Sequence, residues 1–365
     1  MKIKSVETFK LSVPLKKPFK TALRTLTETQ SLIVKVTSDD GKTGYGEAPP
    51  THVITGDSLR SMESAIKDVM APILLTGSVL DREKMLYDLD QSMVHNTSAK
   101  AALDCAIHDL LAQHANLPLV QFLGGYRTSF ITDYTVSVNE PEEMAEDAVQ
   151  FIQHGFTTLK IKVGTGTIEQ DFRRIQAIRE KAGSACKLRL DANQGWTAKE
   201  AVHAIRKMED AGFGIELVEQ PVKAHDIEGL KQVTDHTATP IMADESVFST
   251  NDAIRVLQTR SADLINIKLM KAGGIHGALA INKLAEAYGV SCMVGSMIET
   301  KVGITAAAHF AASQRNVTRF DFDAPLLLAK DPVSGGVQYT GEVMSIPLVP
   351  GLGITGVEGL EGMHD

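Results

Sequence analysis

Five short runs decide the fold: Thr158–Lys162 (TLKIK), Lys187–Asp191 (KLRLD), Ile215–Glu219 (IELVE), Pro240–Asp244 (PIMAD) and Asp263–Lys268 (DLINIK). Each is short, apolar and rich in β-formers, and each is followed by a helical stretch. Their last residues Asp191, Glu219, Asp244 and Lys268 follow one another at intervals of 28, 25 and 24 residues. One βα unit takes about 30 residues. Working outward, ITDYTVSV (131–138) precedes these runs, and SCMVG (291–295) and VTRFD (317–321) follow them. Eight βα units in series predict a parallel (β/α)8 TIM barrel; an open doubly wound sheet is the competitor, and the even spacing favours closure.

The flanking segments differ in texture. Within residues 1–50, Lys2–Val13 alternates and Ser31–Thr37 is β-rich. Asp39-Asp40-Gly41-Lys42 reads as a hairpin turn into a third strand ending near GYGEA. Between the first two strands, KKPFKTALRTLTETQ (16–30) reads as a polar loop with one Phe and one Arg. From Ser58 to Leu123 the periodicity is helical, clearest in SAKAALDCAIHDLLAQHA (98–115). The expected organisation is α/β. An N-terminal α+β capping domain spans 1–125 and the barrel 126–321. A Gly- and Pro-rich C-terminal segment, 322–365, carries a short strand and packs back on the capping domain.

Composition narrows the function. A chain of 365 residues, 43% hydrophobic and 22% charged, can build a large core, which excludes disorder, collagen and coiled coil. A net charge of −8 argues against nucleic acid as a partner, since phosphate neutralisation needs clustered Lys and Arg. Cys105, Cys186 and Cys292 lie far apart without a CxxC pair, so neither a disulfide framework nor a structural zinc site is expected. A reducing, cytoplasmic setting fits best. The first residues lack the apolar core of a signal peptide, and no run approaches the ~20 apolar residues of a membrane span, so no membrane partner is expected.

In a barrel, reactive groups project from the C-terminal ends of strands. Here those ends carry Lys160 and Lys162, Asp191, Glu219, Asp244, Lys268, and Asp321 with Asp323. Any one of these alone reads most simply as a loop ion pair. Six charged ends facing one mouth resist that reading, because buried charges cost several kcal/mol each unless paired or metal-bound. Asp191, Glu219 and Asp244 on adjacent strands suit a hard divalent ion, Mg2+ before zinc, since no His or Cys accompanies them. Lys160 and Lys162 share a strand face roughly 6–7 Å apart, so their like charges are expected to depress the amine pKa values. Lys268, four strands on, faces Lys162 across the mouth. A substrate carboxylate on the metal would hold its α-carbon between two amines: one removes the proton, the metal stabilises the enediolate, and the other returns a proton to the opposite face. Other signals are weaker. Gly351–Gly356 matches GxGxxG without a following helix and reads as a surface turn. Lys271 and Gly273-Gly274 read as a βα turn. Asn193 reads equally as site support or loop stabiliser.

These motifs resemble the enolase superfamily, and within it the muconate lactonizing subgroup. The resemblance is carried by Lys160-Ile-Lys162, Asp191-Ala-Asn193, Glu219-Gln-Pro221, Asp244-Glu245-Ser246 and Lys268 in NIKLMKAGG. GYGEAPP (44–50) and the helix around Ala101–Asp109 are similar to that family's capping domain, so essentially the whole chain is covered. The resemblance implies one Mg2+ per subunit on Asp191, Glu219 and Asp244, Lys162 and Lys268 as the acid–base pair, and Lys160 polarising the substrate carboxylate. The pattern is shared by cycloisomerases, o-succinylbenzoate synthase-like lyases, N-acylamino acid racemases and dipeptide epimerases. The chain is most similar to dipeptide epimerases of the L-Ala-D/L-Glu type. Asp321 and Asp323 resemble the Asp-x-Asp that receives a dipeptide's ammonium. Ser296, Ile298 and Thr135 match dipeptide-lining positions, and Phe19, Thr21 and Arg24 lie in the capping loop. The implied protein is a homo-oligomeric isomerase of cell-wall peptide metabolism acting on a dipeptide. A non-catalytic barrel would lack at least one of these lysines or carboxylates, and all are present.

Overall fold

The computed structural model describes residues 1–363. The N-terminal strands β1 (Ile3–Lys20), β2 (Thr25–Ser38) and β3 (Thr43–Ala48) form an antiparallel sheet. Strand β2 is buried on both faces. Leu32, Val34 and Val36 pack with Ala102, Leu103 and Ile107 of the helix Thr97–His114, while Ile33 packs with Leu11, Val13 and Val302. That is why SLIVKV is nearly continuous in apolar residues instead of alternating. The segment 16–30, expected to be a loop, is mostly strand. After a register shift between Pro14 and Phe19, Phe19 pairs with Leu26 and Lys20 with Thr25, and Thr21 N donates to Arg24 O at 2.9 Å to close the turn. Phe19 and Leu26 of this ribbon pack against a core cluster, while its other residues are mostly polar and mimic loop composition.

The glycines of GYGEA have a packing reason. A Cβ on Gly46 would lie 1.9 Å from Ala102 O, and one on Gly44 2.1 Å from Ala106 O, so β3 meets the helix backbone to backbone. Gly46→Ala is therefore expected to destabilise the protein by about 1–3 kcal/mol or more through overpacking. Denaturant unfolding measures this directly, and an unchanged midpoint would mean the helix does not sit this close.

Strand β4 (Ser129–Ile131) leads into the barrel: β5 (Tyr134–Val136), β6 (Thr158–Lys162), β7 (Lys187–Asp191), β8 (Ile215–Glu219), β9 (Ile241–Ala243), β10 (Leu264–Ile267), β11 (Ser291–Val294) and β12 (Val317–Phe320). They lie in chain order in one curled parallel sheet with helices between, the expected (β/α)8 arrangement. The register aligns Lys162 with Asp191 and Asp191 with Glu219, which sets the charged ends at one level. The first and last strands meet through Asp133 N to Phe320 O at 3.3 Å and Phe322 N to Thr132 Oγ1 at 2.8 Å. Leu217, Met242, Leu264 and Met293 form one buried cluster contributed by four of the strands.

The C-terminal segment is richer in structure than expected. Strand β13 (Val333–Gly335) pairs with β16 (Ile354–Val357), and β14 (Gln338–Thr340) pairs with β15 (Val343–Ser345), which pairs with β4. Strand β17 (Glu361–Gly362) adds to β1, and Ala329 N donates to Pro14 O at 2.8 Å. Gly351 is buried in a bridge to Pro118 and Ile354–Gly356 belong to β16, so the GxGxxG match is not the surface turn expected of it. The three cysteines are free and buried. Among the described residues no helix is long and apolar enough to cross a membrane.

Candidate active site

The strand ends form a buried ionic cluster. Lys160 Nζ lies 3.0 Å from Asp191 Oδ2, 2.8 Å from Glu219 Oε2 and 2.7 Å from Asp321 Oδ2. Lys162 Nζ lies 2.6 Å from Asp191 Oδ2, and Lys268 Nζ 2.7 Å from Asp244 Oδ2. All of these side chains are buried. One expectation is corrected here. Lys160 is not depressed by its like-charged neighbour. Burial pushes Lys160 down, but Asp191, Asp321, Glu219 and Asp133 outweigh it and hold the ammonium well above the lysine range. Lys268 is raised in the same way, burial being overcome by Asp244 and Glu219. Carboxylates at short range decide the sign.

A supporting layer holds these groups. Asn266 Nδ2 donates to Glu219 Oε1 at 2.8 Å, and Gln220 Oε1 accepts Asp244 N at 2.8 Å and Ser246 N at 3.1 Å. Lys271, expected to be a turn residue, is buried with its Nζ 2.6 Å from Asp244 Oδ1 and donates to Val247 O and Asn266 O at 3.1 Å. Asn193 supports the site: its N–H donates to Asp191 Oδ1 at 2.9 Å, and its Nδ2 to Glu245 Oε1 at 3.3 Å. Asn193, Gln194 and Gln220 have φ of 41°, 67° and 34°, left-handed backbone just past β7 and β8. Non-glycine residues adopt it at a cost and cluster at functional sites. Nothing in the sequence around Gln220 or Lys271 signalled these roles.

Above the cluster lies a tight cavity of ≈ 60 Å³. Phe19, Thr21 and Arg24 form its roof, Thr135, Asp321 and Asp323 one side, Ser296 and Ile298 another, and Lys160, Lys162 and Lys268 its floor. Every substrate-lining residue expected from the sequence is thus brought to one space. Asp191, Glu219 and Asp244 lie behind the lysines. Asn193 lines the cavity too, as do Leu23, Val53, Ile54 and Met297, which were not anticipated. The Phe19 ring sits 5.9 Å from Lys162 Nζ. Asp323 Oδ2 accepts Thr135 N at 2.6 Å, and burial, then Asp321, push this carboxyl up to about 6. Among the described residues neither Asp323 nor Arg24 has an ion-pair partner.

The donor set fits a hard cation. Asp191 and Glu219 converge on a single cationic atom, Lys160 Nζ, and Asp244 flanks them. Glu219 Oε2 and Asp244 Oδ1 are buried and receive no aligned hydrogen bond, although each has an ammonium within ion-pair distance. Among the described residues no three His, Cys, Asp or Glu already stand as a metal-holding group. Oxygen-only donors with unsatisfied lone pairs are what Mg2+ takes.

Comparison with known proteins gives a consistent result. Residues 3–124 match the family described as mandelate racemase / muconate lactonizing enzyme, N-terminal domain, and residues 143–359 match the enolase C-terminal domain-like family. The chain is 64% identical to the L-Ala-D/L-Glu epimerase of Bacillus subtilis (strain 168) over 362 residues, 99% of each chain. It superposes on a substrate-liganded complex of the L-Ala-D/L-Glu epimerase from Bacillus subtilis with a TM-score of 0.97, covering 98% of this chain and 99% of that one. A dipeptide epimerase from Enterococcus faecalis V583, complexed with Mg and L-Leu-L-Tyr, is 47% identical with a TM-score of 0.94 over 98% and 100% of the chains.

Proposed function

Because the chain belongs to the mandelate racemase / muconate lactonizing enzyme family of the enolase superfamily, we propose that it epimerises dipeptides at the α-carbon of the C-terminal residue, with L-Ala-D/L-Glu as substrate. The observation that carries this reading is the pair Lys162 and Lys268, on β6 and at the end of β10. These strands are four positions apart in an eight-stranded sheet, and both lysines open on one cavity. Two amines on opposite faces of one carbon suit 1,1-proton transfer. One Nζ takes the α-proton, and the other, as ammonium, delivers a proton to the opposite face and inverts the configuration.

Asp191, Glu219 and Asp244 would hold Mg2+ beside the substrate carboxylate. The ion, when bound, supplies positive charge where the carboxylate gains negative charge as the proton leaves. Lys160 reaches the same region and adds a fixed positive charge. Lys268 Nζ lies 2.7 Å from Asp244 Oδ2, and a cation held by Asp244 would compete for that carboxylate and free the Lys268 amine for its role as a base. Asp323, free of ion pairs, is the acid best placed for the dipeptide's ammonium, whereas Asp321 is committed to Lys160. A reducing cytosolic setting and a role in cell-wall peptide metabolism accord with such a substrate.

Arg24 selects the side chain. Its half-buried guanidinium lines the roof with no partner of its own, and burial lowers its pKa, so it stands ready for a carboxylate. A charge-assisted contact contributes roughly 1.5–3 kcal/mol, favouring Ala-Glu over Ala-Met by about tenfold to a hundredfold. Arg24→Met is expected to erase most of that preference in kcat/KM. Unchanged discrimination would remove Arg24 from the recognition and leave the dipeptide assignment standing. Proton NMR in D2O with Mg2+ and a dipeptide panel tests the reaction itself: absence of α-hydrogen exchange for every dipeptide would overturn it.

A further inference from the structure

After β11 the chain crosses the cavity wall as residues 295–300 before entering the helix Lys301–Ser313. This crossing carries Ser296, Met297 and Ile298 into the cavity. It is held from the N-terminal sheet. Glu47 Oε1 accepts Thr300 N at 2.9 Å, and Glu47 Oε2 accepts Thr300 Oγ1 at 2.7 Å and Gly303 N at 2.8 Å. Ser31 Oγ donates to Glu47 Oε1 at 2.6 Å, and Thr29 Oγ1 donates to Ile298 O at 2.8 Å. Within the crossing, Glu299 Oε1 accepts Met297 N at 2.9 Å.

Glu47 is fully buried and has no Lys, Arg or His partner among the described residues. Burying a carboxylate without a cation is expensive, and here the compensation is four hydrogen bonds and the positive end of a helix that starts in the barrel. The arrangement therefore ties two parts of the chain more than 250 residues apart. Thr29 and Ser31 belong to β2, the strand that begins at Thr25 directly after Arg24. One rigid strand thus carries the roof residue at its tip and the clamp on the opposing wall a few residues further on. Glu47 takes three donors at the point where the crossing enters the helix, Thr300 N, Thr300 Oγ1 and Gly303 N.

We propose that Glu47, with Thr29, is a positioning residue that sets the distance between Arg24 and the Ser296–Ile298 wall, and so sets which C-terminal side chain the site accepts. The substrate in this proposal rests on the dipeptide reading above; the clamp does not. Neither residue touches the reacting carbon, so its loss should act on binding and selection and leave proton transfer to Lys162 and Lys268.

The test compares Glu47→Gln and Thr29→Val with the wild-type holoenzyme in Mg2+. Gln is nearly isosteric, but its amide NH2 must face at least one of the present donors. Val removes one hydroxyl and no charge. The expected result is a KM for Ala-Glu raised about tenfold in Glu47→Gln with kcat within about threefold, and an Ala-Glu over Ala-Met preference reduced about tenfold. Thr29→Val should show the same pattern in smaller degree. Hydrogen–deuterium exchange measured without substrate should be faster across residues 295–303 in both variants. Preference and exchange unchanged in both, or kcat lost with KM intact, would overturn the proposal. If Glu47→Gln does not fold, Thr29→Val decides by the same two readouts. Wild-type protein inactive on Ala-Glu would instead overturn the functional reading, and the exchange data would still judge the clamp.

Discussion

Lys268→Ala is expected to lower the rate of Ala-Glu epimerisation by about a hundredfold to ten-thousandfold, the range a positioned general acid or base contributes. The loss should be asymmetric in a way that a general loss of fold would not be. Lys162 remains on its own strand, its Nζ 2.6 Å from Asp191, and can still exchange the α-hydrogen on its face. One stereoisomer should therefore continue to incorporate deuterium from D2O without being converted, while the other becomes inert. Lys162→Ala should show the mirror image. The variant's ionic surroundings are not emptied, since Lys271 stays beside Asp244 at 2.6 Å. Near wild-type interconversion of both isomers by Lys268→Ala would end the two-base assignment.

The residues in that experiment were legible because a parallel barrel writes its chemistry at regular places. Asp191, Glu219 and Asp244 close their βα units at near-constant intervals, and a charge at the end of an apolar run stands out. What was not legible depended on reach and tertiary proximity. Lys160 extends far enough to bridge Asp321, just past β12, and Glu219, at the end of β8. The same bridging reversed the expected direction of the Lys160 pKa, because sequence spacing shows the like-charged neighbour on the same strand and not the carboxylates on others. The ribbon from Lys16 to Gln30 was misread for a different reason. Its residues alternate weakly, and little core marks either face, so pairing across a tight turn had to replace hydrophobic pattern as the organising force. Lys271 and Glu47 looked like ordinary turn and strand residues, and only burial without an obvious solvent route separates them from those.

Removal of Mg2+ should abolish activity, and readdition should restore it. The site is an ionic network in which four lysines share the carboxylates. Burial, then Asp191, push Glu219 up to about 8 against the pull of Lys160, a sign that the buried negative charge is incompletely compensated. A divalent ion must therefore compete with Lys160 for Asp191 and Glu219, and with Lys268 for Asp244. That competition has a consequence independent of turnover. Ion binding to the folded state raises stability by about 2.7 kcal/mol at a hundredfold excess over Kd, so the melting temperature should climb as Mg2+ is titrated in. Lys160→Met, which removes the principal competitor, should bind Mg2+ more tightly while losing activity, because the carboxylates are freed but the fixed charge near the substrate is gone. Calorimetric titration of the chelated protein measures both affinities. Full activity after exhaustive chelation, together with a melting curve indifferent to Mg2+, would remove the ion from the site.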